Sequence, residues 1–207
     1  MAGAMTDHLR LAGEGFDRQA AELLTIVRTS PTLMAAFRTA RSLALPDWWI
    51  VSGAIYNQVW NHLTDRPEMT GVNDIDLFYF DPDLSWEAED RIIKRAETVF
   101  DMGLPVQPRN QARVHLWYEN HFGQAYEPLS NSAESLENFA CRTHAVGLRL
   151  RDDDGFDLTA PFGLDDIFSF RVTPHTKRNN RATHEAKAAR QRDIWPELEI
   201  VPWPDPA

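Results

Sequence analysis

Apolar residues at Phe16, Ala20, Leu23, Leu24 and Val27 recur at three- and four-residue intervals, which predicts a helix over 16–27. Ser30-Pro31 reads as the cap and first residue of a second helix. Leu33, Met34, Phe37 and Leu45 carry that helix, and Pro46 stops it. The two helices are expected to pack together over one side of a core. The pattern then shortens. Trp49 to Val51 predicts a buried strand, a small-residue corner follows at Ser52-Gly53, and Tyr56, Val59, Trp60 and Leu63 place a helix on 54–63. A second apolar run over 73–80 is short, aromatic-rich and bounded by Gly71 and Asp81-Pro82, the marks of a strand.

Trp86, Ile92, Ile93, Ala96, Val99 and Phe100 form the expected inner stripe of a helix over 85–102, with Gly103 and Pro105 as its stop. Glu87, Glu89, Asp90, Arg91, Lys94 and Arg95 are assigned to its solvated face. Further on, Val114, Leu116 and Tyr118 alternate with Arg113, His115 and Trp117. That alternation predicts a third strand carrying Arg113 and His115 on one face. Residues 132–139 read as a short helix. The runs 145–150 and 156–160 flank an acidic turn and predict a hairpin. A short helix is expected over 164–170, with Asp165 and Asp166 in its first turn. The last element is a basic helix over 177–192, closed by Trp195-Pro196. Its cations, Lys187 and Arg190 among them, either face water or meet substrate phosphates.

Composition narrows the class. A chain of 207 residues with 43% hydrophobic content can bury one substantial core. The expected organisation is a single domain over 1–207: a helical cover at 14–45, a core at 46–172 and a helical tail at 173–207. The net charge of −10 disfavours a long nucleic acid or an anionic membrane as partner. Cys141 is the single cysteine, which rules out an intrachain disulfide and suits a reducing cytoplasm. No run approaches the roughly 18 apolar residues of a membrane span, and no signal-peptide pattern precedes the first helix. The expectation is a soluble cytoplasmic protein. Met1 to Ala4, ahead of Met5, reads as an expression remnant.

The candidate chemistry lies in the second apolar run. Asp74 and Asp76 are two apart, so on a strand both carboxylates take the same face. Like charges side by side repel, and a divalent cation between them removes the conflict. The Ser52-Gly53 corner adds a close backbone approach and the N–H groups of a helix N-terminus, which favour phosphate. Mg²⁺ takes oxygen ligands and bridges protein carboxylates to substrate phosphates, and two such ions can clamp an in-line displacement at phosphorus.

Ser52-Gly53 followed by Asp74-Ile75-Asp76 resembles the signature of the polymerase-beta-like nucleotidyltransferase superfamily. Taken with Val59-Trp60, the stretch Asn110-Gln111-Ala112-Arg113-Val114-His115, the stretch Ala160 to Phe168 and Trp195-Pro196, the chain is similar to a bacterial nucleotidyltransferase-like family of about this length. The resemblance implies an α+β fold, a mixed β-sheet flanked by helices. It implies Asp74 and Asp76 as metal ligands and Ser52 and Gly53 as triphosphate contacts. Asn57, Gln111 and Arg113 are expected beside them as nucleotide or phosphate contacts. The expected reaction moves a nucleoside monophosphate from a nucleoside triphosphate to a hydroxyl acceptor, with Mg²⁺ as cofactor and His115 accepting the hydroxyl proton. The superfamily places a third carboxylate on a later strand; here His115, Glu119 and Asp157 stand as alternatives. Without that acid, an inactive nucleotide- or metal-binding module of the same fold is the other reading.

Overall fold

The computed structural model describes residues 7–205, so the expected remnant at 1–4 lies outside them. The N-terminal pattern folds as α1 (Phe16–Arg28) and α2 (Pro31–Ser42), the second capped by Ser30, whose hydroxyl accepts from the Leu33 N–H at 3.2 Å. The strand, corner and helix that follow are β1 (Trp49–Val51) and α3 (Gly53–Leu63). Next come β2 (Ile75–Tyr79), α4 (Trp86–Val99), β3 (Val106–Asn110) and α5 (Val114–Phe122). The hairpin is β4 (Gly147–Leu150) with β5 (Phe156–Thr159), and the chain ends with α6 (Asp165–Phe168), β6 (Arg171–Val172), α7 (Arg181–Ile194) and β7 (Glu199–Ile200). A 3-10 turn over Ala133–Asn138 takes the place of the short helix expected there.

Five strands form one mixed sheet in the order β3-β2-β1-β4-β5. Only β2 and β3 run parallel, and α4 is the crossover that a parallel pair requires. Period-two alternation divides the sheet into two faces. Ile50, Ile75, Leu77, Tyr79, Leu148 and Leu150 are buried in one cluster with Leu23, Ile26, Phe37 and the inner side of α3. The opposite face carries Trp49 aligned with Phe78 and Arg109, then Val51 aligned with Asp76 and Gln107. A smaller cluster of Trp49, Val51, Leu136 and Ala145 covers part of that face. The α+β architecture expected from the sequence is therefore present, with helices packed against a mixed sheet.

Two larger elements also differ from the sequence reading. The third strand is Val106–Asn110, not 113–118, where the chain is helical. Pro108 lies inside β3 and is tolerated because β3 is an edge strand. Asn110 then ends the strand: its Oδ1 accepts from the Ala112 and Asp81 N–H groups at 3.1 and 3.0 Å, which turns the chain into a 3-10 turn and α5. The second difference is α4, which buries only Ala96, while Trp86 is 62% exposed and Val99 also faces water. Glu89, assigned to the solvated face, instead accepts from the Asn110 N–H at 2.9 Å and pairs with Arg113.

A small parallel pair, β6 with β7, was not foreseen, and it holds the segment after α7 against the core. Trp195, at the end of α7, is wholly buried edge-to-face on Trp60, with ring centroids 5.2 Å apart, and donates to Asn61 Oδ1 at 3.1 Å. Gly71 makes this contact possible. It has φ +73°, and a Cβ there would stand 2.4 Å from the Trp195 ring. Among the described residues no helix is long and apolar enough to cross a membrane.

Candidate active site

The corner between β1 and α3 is the first part of the site. Ser52 holds φ +61° and ψ −124°, a conformation that costs a non-glycine residue on the order of 1–3 kcal/mol. The surrounding chain enforces it. The Ser52 N–H donates to the Val146 carbonyl at 2.8 Å, and its own carbonyl accepts from Ile55 and Tyr56. The N–H groups of Gly53 and Ala54, first in the helix, have no intrahelical acceptor.

Asp76 stands across the sheet from Val51, the residue just before this corner. Asp74 and Asp76 line one cavity of ≈ 250 Å³ with Ser52, Gly53, Asn57 and Lys187, and Arg190 closes it. The Asp76 carboxyl is pushed up to about 6, first by burial and then by the Asp74 carboxylate, with Lys187 and Arg109 pulling the other way. Asp74 Oδ2 accepts from Gln107 Nε2 at 2.5 Å. Asn57 donates through Nδ2 to the Gly71 carbonyl at 3.2 Å, while its buried Oδ1 has no partner. Two neighbouring carboxylates and an unpartnered amide oxygen form a hard-oxygen donor set, the kind that could hold Mg²⁺.

Lys187 and Arg190 reach this cavity because α7 is anchored by His184 and Gln191, which precede and follow them along the helix. Gln191 donates to the Tyr56 hydroxyl at 2.8 Å and bonds His144 Nε2 at 3.1 Å. His184 contacts Cys141 Sγ and the Val201 carbonyl. His144 is wholly buried and stacked on Tyr56, and burial first of all drives its pKa well down, so it is a neutral packing group. Burial likewise pushes the Cys141 thiol up to about 12, which leaves it unreactive. Residues three apart share a helix side, so Lys187 and Arg190 act as a pair. Among the described residues neither forms a salt bridge, whereas Arg181 is tied to Glu185.

Asp76 also lines a second cavity, of ≈ 270 Å³. Phe78, Trp117, Tyr118, Tyr126 and Phe139 give it aromatic walls, with Arg109 and Gln111 as polar groups. Asp76 is the residue common to both cavities.

The structure gathers Ser52, Gly53, Asn57, Asp74 and Asp76 around one cavity and sets Gln111 in the other. It does not bring Arg113 or His115 to either. Arg113 pairs with Glu89 and donates to the Leu84 carbonyl at 3.0 Å, so its charge is used within the fold. His115 sits in α5 with a buried, unpartnered Nδ1. Glu119 is exposed on the same helix, and Asp157 is held by Arg149 at 2.7 Å and Arg151 at 3.2 Å. Asp157 is also three strands away from β2, about 14 Å at the usual strand spacing. Among the described residues no three His, Cys, Asp or Glu side chains converge on a metal-sized site. The sequence reading missed Arg109 and the aromatic walls. Lys187 and Arg190 were visible only as members of a basic run.

The model of a family described as nucleotidyltransferase matches residues 38–200. Comparison with curated proteins gives no match. Among solved structures the chain is similar to one, determined by NMR, described as revealing a CCA-adding enzyme head domain. The TM-score is 0.73 at 28% identity, over 88% of this chain and 96% of that one.

Proposed function

The chain belongs to the nucleotidyltransferase family, and from that premise we propose that it is an active Mg²⁺-dependent enzyme. It moves a nucleoside monophosphate from a nucleoside triphosphate to a hydroxyl acceptor and releases pyrophosphate. The observation that carries this reading is the cavity in which Asp74 and Asp76 face the Ser52-Gly53 corner and the Lys187–Arg190 pair.

Each group has a task there. The N–H groups of Gly53 and Ala54 and the two cations bind the β- and γ-phosphates and receive charge that grows on the leaving pyrophosphate. Asp74 and Asp76, with the Asn57 oxygen beside them, would hold Mg²⁺. When bound, it supplies charge neutralisation between the carboxylates and polarisation of the phosphoryl oxygens. Gln107 fixes the Asp74 carboxylate so that it points into the cavity. The buried Tyr56–Gln191–His144 contacts hold α7 so that its cations do not swing away.

The reading is tested by incubating the protein with α-phosphate-labelled triphosphates and Mg²⁺ and following pyrophosphate release beside Asp76→Ala. Loss of a ligand that neutralises the transition state is expected to slow release by about 10²–10³. Equal rates in both proteins would place the chemistry elsewhere. One observation favours a second reading, a module that binds nucleotide without transfer: no third acid joins Asp74 and Asp76 among the described residues. On that reading calorimetry detects triphosphate binding, and the nucleotide stays intact on long incubation.

A further inference from the structure

The two cavities that meet at Asp76 are arranged along β2. Asp74 lines only the polar one and Phe78 only the aromatic one. Asp74 lies just before β2 and Phe78 two residues beyond Asp76 within it, and residues two apart on extended chain are about 6–7 Å apart, so the cavities lie end to end with Asp76 between them. Displacement at phosphorus needs the attacking and leaving oxygens on opposite sides. With the triphosphate tail under Gly53, Lys187 and Arg190, pyrophosphate departs toward Asp74. The attacking hydroxyl must then enter from the Phe78 side. The nucleoside, ester-linked to the same phosphorus at a tetrahedral angle, projects out of that line.

We infer that the aromatic cavity is the acceptor site and takes a small flat-ringed alcohol or phenol, an inference that rests on the transfer reading above. Its walls suit such a ring. Phe78 and Phe139 stand edge-to-face with centroids 6.1 Å apart, and Tyr118 and Tyr126 are 4.6 Å apart. The Arg178 guanidinium lies 5.0 and 4.3 Å from those two tyrosine centroids, which fixes their orientation from behind. Offset and edge-on contacts of this kind are what an aromatic guest meets favourably. Trp117, 42% exposed, stands at the mouth. Gln111 is buried; its Nε2 donates to the Arg109 carbonyl at 3.3 Å, and its Oε1 accepts nothing among the described residues, so it is open to a ligand N–H or O–H. The only carboxylate in the lining is Asp76. The volume of ≈ 270 Å³ is below the range of drug-sized sites and limits the guest to one or two rings.

The step balances without a further reactant. The acceptor oxygen bonds to the α-phosphorus, and the bond from that phosphorus to the oxygen bridging the β-phosphate breaks. Pyrophosphate carries away the electron pair, and the hydroxyl proton is released to water.

The test separates ring binding from triphosphate binding. Saturation-transfer NMR on the whole protein uses 2-phenylethanol, tyrosinamide and adenosine as probes, and calorimetry with ATP is run in parallel. At least one probe is expected to bind, with affinity about ten-fold weaker in Trp117→Ala and in Phe78→Leu and ATP affinity unchanged in both. Trp117 is half exposed, so its truncation leaves the fold intact. The inference is overturned if no probe binds, or if binding survives both substitutions. It is also overturned if ATP affinity falls with probe affinity, since the cavity then holds the nucleobase. Failure of ATP to bind any of the three proteins while a probe still binds would instead count against the transfer reading.

Discussion

Asp76 is the residue on which most of the site's energetics turns. Burial and the neighbouring Asp74 raise its pKa to about 6, so the folded protein holds this proton more tightly than the unfolded chain does. A raised carboxylate pKa makes stability fall as pH rises, from the unfolded value near 4 to just above the folded value. The cost at neutral pH is on the order of 2–3 kcal/mol. Asp76→Asn is therefore expected to match wild type near pH 4 and to be more stable by about that amount at pH 7, read from urea midpoints without added metal. A constant offset at all pH values would mean that the carboxylate is not in conflict with its surroundings. This is a site whose preparation for a cation works against the fold. The strained Ser52 backbone is a second instance in the same cavity.

At the scale of elements, α7 joins chemistry to packing. One side of it is pinned by Gln191, His184 and Ala188, and this places Lys187 and Arg190 over the acidic pair. Lys187→Ala and Arg190→Ala are each expected to weaken ATP binding about ten-fold by calorimetry, the loss of one charge-assisted contact apiece. Their thermal midpoints should stay near wild type, because neither forms a salt bridge among the described residues. Gly71→Ala is expected to do the reverse. It forces a Cβ into Trp195 and demands a positive φ, so it should lower the thermal midpoint sharply, by about 2–4 kcal/mol of stability. A near-normal midpoint for that variant would show that α7 does not need the Trp195 contact to stay in place. Helix α5 makes a further point. Alternation of Val114, Leu116 and Tyr118 suggested a strand, but Asn110 capping decides for a helix, and tertiary contacts bury only Val114 of that trio.

For the molecule as a whole, the charge of −10 and the cationic pair in one cavity pull in different directions. Long-range repulsion of an anionic substrate is screened within about 8 Å at physiological salt, whereas contacts inside the cavity are screened less. Added salt up to that level should therefore leave ATP affinity within about two-fold, and a steep loss would mean that the phosphates bind on the open surface instead.

The sequence alone determined the local elements with strong periodicity and the strand β2 that carries Asp76, with Asp74 just before it, because those follow from spacing along the chain. The α+β class was implied by its resemblance to a known superfamily, not by spacing. Its small-residue corner was also legible, since Ser52-Gly53 between a strand and a helix needs no distant contact to be recognised. Which cations meet the carboxylates was decided only in three dimensions. Lys187 and Arg190 lie more than a hundred positions after Asp76 in the sequence, and buried polar contacts from α7 to α3 bring them back. The same holds for the aromatic cavity. Phe78, Trp117, Tyr126 and Phe139 become neighbours through packing of separate elements, and no periodicity records that.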